Sequence, residues 1–117
     1  MTTEIDEATA LLIRARGFLE RGWCRGAQAR DADGWQVSPT SGDAVAWCAF
    51  GAMVAAGGNF PPCFWGQNPT VVRLQAAIGG EDIAVFNNRQ ETVEPVLAAF
   101  DRAIAGEPMA RVAGSEG

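Results

Sequence analysis

From Ala44 to Ala56 the chain runs without a charged residue, and this stretch restricts the fold more than any other. As a helix it would have no polar face to offer water, so it must be surrounded by protein. It is too short to cross a bilayer, which takes about 20 apolar residues. A buried core helix is therefore expected over 44–56, capped by Asp43 at the end of the loop Ser38–Asp43. Its residues sort by size: Ala44, Cys48, Gly51 and Ala55 form a small stripe, and Trp47, Phe50 and Val54 a large one. Gly51 costs about 1 kcal/mol relative to Ala inside a helix. That cost is understandable where a neighbouring backbone passes close to the small stripe.

The flanking segments supply the rest of a helical fold. Ile5, Ala8, Leu12, Ala15 and Leu19 repeat at helical spacing, with Leu11 and Phe18 widening the stripe, so a first helix is expected from Thr2 or Thr3 to Arg21, stopped at Gly22. Arg30-Asp31-Ala32-Asp33-Gly34-Trp35 reads as a hairpin turn with Gly34 left-handed. Gly57-Gly58 ends the core helix, and Asn68-Pro69 opens a short one that stops at Gly79-Gly80. Ile83, Val85 and Phe86 read as a strand or extended link, and Asn87-Asn88-Arg89 as a polar turn. Thr92 is expected to cap a last helix with Val93, Leu97, Phe100 and Ile104 on its apolar face, ended by Gly106 and Pro108. The fold expected is mainly α: a compact bundle of about four helices around a central apolar helix, with a small β-hairpin near residues 28–37. Residues 1–106 are expected to form a single globular domain and 107–117 a flexible C-terminal tail. The echo between Gly22-Trp23-Cys24 and Ala46-Trp47-Cys48 is too short to carry meaning in the sequence alone.

Absent residue types narrow the chemistry. There is no His, no Lys and no Tyr, and all nine basic residues are Arg, a preference that GC-rich codon usage explains. Without His the chain lacks the usual proton shuttle and commonest metal ligand. Without Lys it lacks Schiff-base chemistry and the phosphate-loop lysine. A net charge of −5 opposes general nucleic-acid binding. Cys24, Cys48 and Cys63 are odd in number and unpaired in spacing, which suits neither a disulfide framework nor zinc. The acidic start, Met1-Thr2-Thr3-Glu4, does not read as a signal peptide, so a cytoplasmic protein with no membrane partner, metal or cofactor is expected.

The candidate site residues are therefore binding residues. Arg14, Arg16, Arg21, Arg25 and Arg30 crowd one segment, opposed only by Glu20. Guanidinium groups hold phosphates and carboxylates, and Trp23 and Trp35 could stack on a flat ligand. Trp23, Arg25, Arg30, Asp31 and Trp35 are the first candidates, joined by the hydrogen-bonding side chains of Asn87, Asn88 and Arg89. Asp31-x-Asp33-Gly34 resembles part of a calcium loop, but Ala29 and Thr40 occupy its first and twelfth ligand positions, so a turn accounts for it better. Phe60, Phe64 and Trp65, in a Pro-rich loop, either fold onto the core or meet a partner. Cys48 is expected to pack on the small stripe beyond the first helical turn, and Cys24, between Trp23 and Arg25, is the better thiol candidate.

Five short motifs, in order, resemble a family of small uncharacterised proteins from bacteria and phages. They are Gly22-Trp23-Cys24-Arg25-Gly26, Ala29-Arg30-Asp31, Trp47-Cys48-Ala49-Phe50-Gly51-Ala52, Phe86-Asn87-Asn88 and Val96-Leu97-Ala98-Ala99-Phe100-Asp101-Arg102-Ala103-Ile104. The likeness spans residues 5–105. Cys24 stands where that pattern has Thr, and Phe86 and Asn88 where it has Trp and Asp. The resemblance implies no activity.

The function expected is a small non-enzymatic binding or interaction protein, such as a phage or mobile-element accessory acting on a host protein, with a protein partner or an anionic small molecule as ligand. The alternative is an enzyme or ligand-processing domain using Cys24 or an acidic residue beside the Arg-rich segment.

Overall fold

A computed structural model describes residues 7–57 and 68–106. The expected helix start at Thr2 or Thr3, the loop aromatics Phe60, Phe64 and Trp65, Cys63 and the tail 107–117 lie outside the described residues. The element order is α1 (Glu7–Arg21), β1 (Ala29–Arg30), β2 (Ala46–Trp47), α2 (Ala49–Ala55), α3 (Pro69–Ala77), α4 (Ile83–Asn88) and α5 (Glu94–Ala105). The protein is mainly helical with a two-stranded antiparallel sheet.

Helix α1 forms as its spacing predicts. Leu12, Ala15 and Leu19 are buried on one stripe, with Leu11 and Phe18 partly buried beside them. It packs against α2, α3, α5 and β2, which makes it the hub of the bundle. The fully buried Leu12, Leu19, Met53, Leu74, Val96 and Phe100 come from four different helices. Each large apolar side chain buried there contributes about 1.5–3 kcal/mol.

The helix expected over 44–56 is shorter. Ala46 and Trp47 are extended and pair with Arg30 and Ala29, and the helix begins only at Ala49. Its N-cap is Cys48, whose sulfur accepts from the Gly51 N–H at 3.3 Å, not Asp43. The competing structure is non-local: Trp47 pairs with Ala29 on one side and, in parallel, with Trp23 on the other. The glycine argument holds in this new setting. A Cβ on Gly51 would collide with the Gln28 carbonyl, its carbon only 2.7 Å away.

The turn at 31–35 forms as expected, with Gly34 at φ 87°. The Asp31 carboxylate accepts from the backbone N–H groups of Asp33 (3.0 Å) and Trp35 (2.9 Å), an Asx turn. Its arms meet at a single bridge, Arg30 to Gln36, because β1 takes β2 as its principal partner.

Two further readings need correction. Ile83–Asn88 is a helix, not a strand followed by a polar turn. Asp82 caps it by accepting from the Val85 N–H at 3.1 Å, and Ile83, Phe86 and Asn87 fall on its buried side. Helix α5 starts after Val93 with no side-chain cap, so Thr92 does not serve as one; Pro95 occupies the first turn instead. The expected terminators Gly22, Gly79 and Gly106, and the Asn68-Pro69 start, are all found.

Candidate functional site

Helix α4 places Asn87 at the centre of the molecule, fully buried. Its Oδ1 accepts from the Trp23 indole N–H at 2.8 Å and from the Ala49 backbone N–H at 3.0 Å. Its Nδ2 donates to the Cys24 carbonyl at 3.1 Å and to Asn88 Oδ1 at 3.2 Å. One carboxamide thus uses two acceptor and two donor positions to join α4, α2 and the segment after α1, leaving nothing for a ligand. Among the described residues no buried side-chain nitrogen or oxygen lacks a partner.

The seam continues outward. Asn88 Oδ1 accepts from the Gly26 N–H at 2.9 Å, and the Arg25 guanidinium donates to the Gln90 carbonyl at 2.6 Å while lying 5.8 Å from the centre of the Trp23 ring. Arg30 donates to the Gly34 carbonyl (2.9 Å) and the Arg25 carbonyl (3.1 Å), holding the loop that follows Cys24 to the turn. The structure therefore brings Trp23, Arg25, Arg30, Asn87 and Asn88 together, and largely as a scaffold. Asp31 is spent within its own turn. Arg89 forms a two-pronged pair with Glu81 (2.8 and 2.6 Å), and this holds the Glu81 carboxyl below its ordinary range. Trp35 stands 72% exposed on the turn, with no side-chain hydrogen bond to the seam.

The remaining arginines do not converge with this group. Arg14 donates to the Ala56 carbonyl at 3.0 Å, Arg16 pairs with Asp101 (2.7 Å) and Glu20 (2.6 Å), and Arg21 lies 4.6 Å over the Phe18 ring. Each serves a different contact of α1.

Beside the seam lies a cavity of about 390 Å³. It is lined by the apolar residues Phe50, Val71 and Ile83 and by the polar residues Gln28, Gln36, Gln75 and Asn88. Cys48 and Asp82 also reach it. Of the candidates read from sequence only Asn88 lines this space. Gln28 and Gln36 flank the 31–35 turn and Gln75 comes from α3, so no single local pattern marks the three glutamines. The one sequence signal pointing here is Gly51, whose missing side chain lets the Gln28 backbone approach α2.

The cavity has little ionisable chemistry. Asp82 Oδ1 is used in capping α4. Burial pushes the Cys48 thiol above its ordinary range, against hydrogen bonds from the Gly51 and Phe50 backbone that favour the thiolate. Cys24, half-buried, is also pushed up, first by burial and then by the neighbouring Cys48; Arg30 pulls the other way. Among the described residues there is no group of three or more side chains able to hold a metal ion, and no helix is long and apolar enough to cross a membrane.

Compared with known proteins, residues 4–106 match the model of a family described as a family of unknown function (DUF6197). No curated protein and no solved structure matches the chain.

Proposed function

The chain belongs to that family, and from its geometry we propose that it is a small non-enzymatic binding domain whose cavity takes an uncharged polar molecule. The observation that carries this reading is a space lined by apolar residues together with four carboxamide-bearing residues, Gln28, Gln36, Gln75 and Asn88. The Asn88 oxygen is already taken by the Gly26 and Asn87 N–H groups, but a glutamine carboxamide both donates and accepts, so the three glutamines suit a ligand that alternates the two, such as an amide, a ureide or a heterocyclic base. About 300–1,000 Å³ is the usual size of a small-molecule site. No arginine lines the cavity among the described residues, so an anion would find no countercharge there. The free thiols Cys24 and Cys48 fit a reducing compartment such as the cytoplasm.

The enzyme alternative has weaker support. Cys24 and Cys48 both hold their protons more tightly than a free thiol, the reverse of an activated nucleophile. A protein-interaction role, as in a phage or mobile-element accessory, is favoured by one observation, the solvent-exposed Trp35 at the turn.

The test is native mass spectrometry of the full chain after exposure to a small-molecule cell extract. Wild type is expected to retain a small molecule that Ala84→Trp, which fills the cavity from its exposed wall, fails to retain while melting normally. Retention unchanged by Ala84→Trp, or no retention by wild type, overturns the cavity reading. A protein partner lost on Trp35→Ser alone would favour the interaction role.

A further inference from the structure

The two Trp-Cys steps of the chain lie side by side, and we propose that Cys24 and Cys48 are a redox-active pair that closes to an intramolecular disulfide when the protein meets a disulfide oxidant. This inference stands independently of what the cavity binds.

The placement follows from register. The Trp47 N–H donates to the Gly22 carbonyl at 3.1 Å and the Cys24 N–H to the Trp47 carbonyl at 3.1 Å, which makes Trp23 and Trp47 partners in a parallel bridge. Cys48 is still extended, at φ −85° and ψ 175°, so Cys24 and Cys48 directly follow the bridged pair, and the Asn87 carboxamide takes the place of the next ladder bond between the Cys24 carbonyl and the Ala49 N–H. Side chains of paired residues share a face and alternate along each strand, which puts both sulfurs on the same side of the ribbon. Strands in a ladder lie about 4.8 Å apart, near the lower end of the roughly 4.4–6.8 Å between Cα atoms that a disulfide spans, which leaves reach for the two segments to part around Asn87. Consistent with that placement, Cys48 is among the groups that raise the Cys24 thiol above its ordinary range, after burial.

Their environments divide the work. Cys24 is half-buried and its thiol points to the Ala27 carbonyl at 3.6 Å, whereas Cys48 is buried. Cys24 is therefore the sulfur an outside disulfide reaches first. With glutathione disulfide, Cys24 gives up its proton to solvent and its thiolate attacks one glutathione sulfur. The glutathione disulfide bond breaks and one glutathione leaves as thiolate. Cys48, deprotonated in turn, attacks the Cys24 sulfur and displaces the second glutathione. Two protein thiols are oxidised, one glutathione disulfide is reduced to two thiols, and the two protons return to them. Because burial favours the protonated thiols, the exchange should quicken as pH rises. Closure would tie the segment carrying Gly26, Ala27 and Gln28, one wall of the cavity, to the N-terminus of α2.

The experiment treats the full chain carrying Cys63→Ser with glutathione disulfide and reads intact mass and digested peptides. The expected product is lighter by two hydrogens, carries a Cys24–Cys48 cross-link and regains its mass with dithiothreitol. If Cys63→Ser does not fold, wild type cut additionally after Phe50 separates Cys48 from Cys63 and gives the same readout. A stable glutathione adduct on Cys24 with Cys48 still alkylatable after unfolding overturns the proposal. So does a cross-link made only through Cys63, or the absence of reaction at Cys24.

Discussion

The Trp23 indole nitrogen donates to Asn87 Oδ1 at 2.8 Å across 64 positions of sequence, and that bond fastens the segment after α1 to α4. The same Oδ1 also accepts from Ala49, so the two substitutions should differ in cost. Trp23→Phe removes one donor and leaves the amide oxygen with a partner, and should lower stability by about 1 kcal/mol. Asn87→Leu strands the Trp23 and Ala49 donors and the Cys24 carbonyl together, and should cost about 3–5 kcal/mol. Urea denaturation of both variants checks the order. Equal costs would mean that Asn87 is not the hub of the seam.

Two helical glycines should respond to alanine with opposite signs. Gly17 lies within α1, and a Cβ there meets nothing within 4 Å. Gly17→Ala should stabilise by about 1 kcal/mol through helix propensity. Gly51→Ala gains the same propensity but drives its methyl into the Gln28 carbonyl. Overpacking of this kind costs about 1–3 kcal/mol, so a lower melting temperature is expected despite the better helix former. A stabilised Gly51→Ala would show that the 26–28 segment yields freely.

These contrasts also show where sequence reasoning succeeds. Asn68-Pro69 opens α3 and Gly106, at φ 79°, closes α5 because caps and left-handed turns are decided by a few neighbouring residues. The helix expected over Ala44–Cys48 does not form, because the conformation there is decided at a distance, by Trp23 and Ala29, against a local preference for helix. Ile83-Ala84-Val85-Phe86 is a short apolar run that reads like a strand, yet Asp82 caps it and the three- and four-residue spacing of Ile83, Phe86 and Asn87 prevails. Asn87 was legible as a hydrogen-bonding residue but not as a buried one, since burial comes from α2 and the Trp23 segment closing around it. Gln28, Gln36 and Gln75 were invisible because only the fold assembles them.

The thiols predict a pH dependence of stability. Burial raises the folded-state pKa of Cys48 and Cys24 above the ordinary 9.0. A proton held more tightly by the folded chain favours folding fully below the unfolded pKa, and that contribution is lost as pH rises through the folded value. Urea midpoints should therefore fall above about pH 9, and Cys24→Ser with Cys48→Ala should flatten that fall relative to wild type. An unchanged slope in the double variant would place the titration elsewhere.

Helices α3 and α5 close each other's ends. Arg73 on α3 donates to the Ala103 (2.6 Å) and Ile104 (3.1 Å) carbonyls in the last turn of α5, and also to Thr9 Oγ1 at 2.7 Å. Arg102 on α5 donates in return to the Ala77 carbonyl at 3.0 Å, the last residue of α3. A helix C-terminus leaves carbonyls without partners and carries partial negative charge, so a guanidinium there both hydrogen-bonds and offsets the dipole. Arg102→Met should cost about 1–2 kcal/mol, and Arg73→Met more, because it releases at least the Ala103, Ile104 and Thr9 acceptors together. The Arg73→Met loss should extend to α1 through Thr9, so hydrogen exchange ought to quicken in α1 as well as at the end of α5. Arg102→Met should quicken exchange near the end of α3 and leave α1 unchanged. If both variants loosened the same amides, the two arginines would be acting on one shared contact and not on two opposite helix ends.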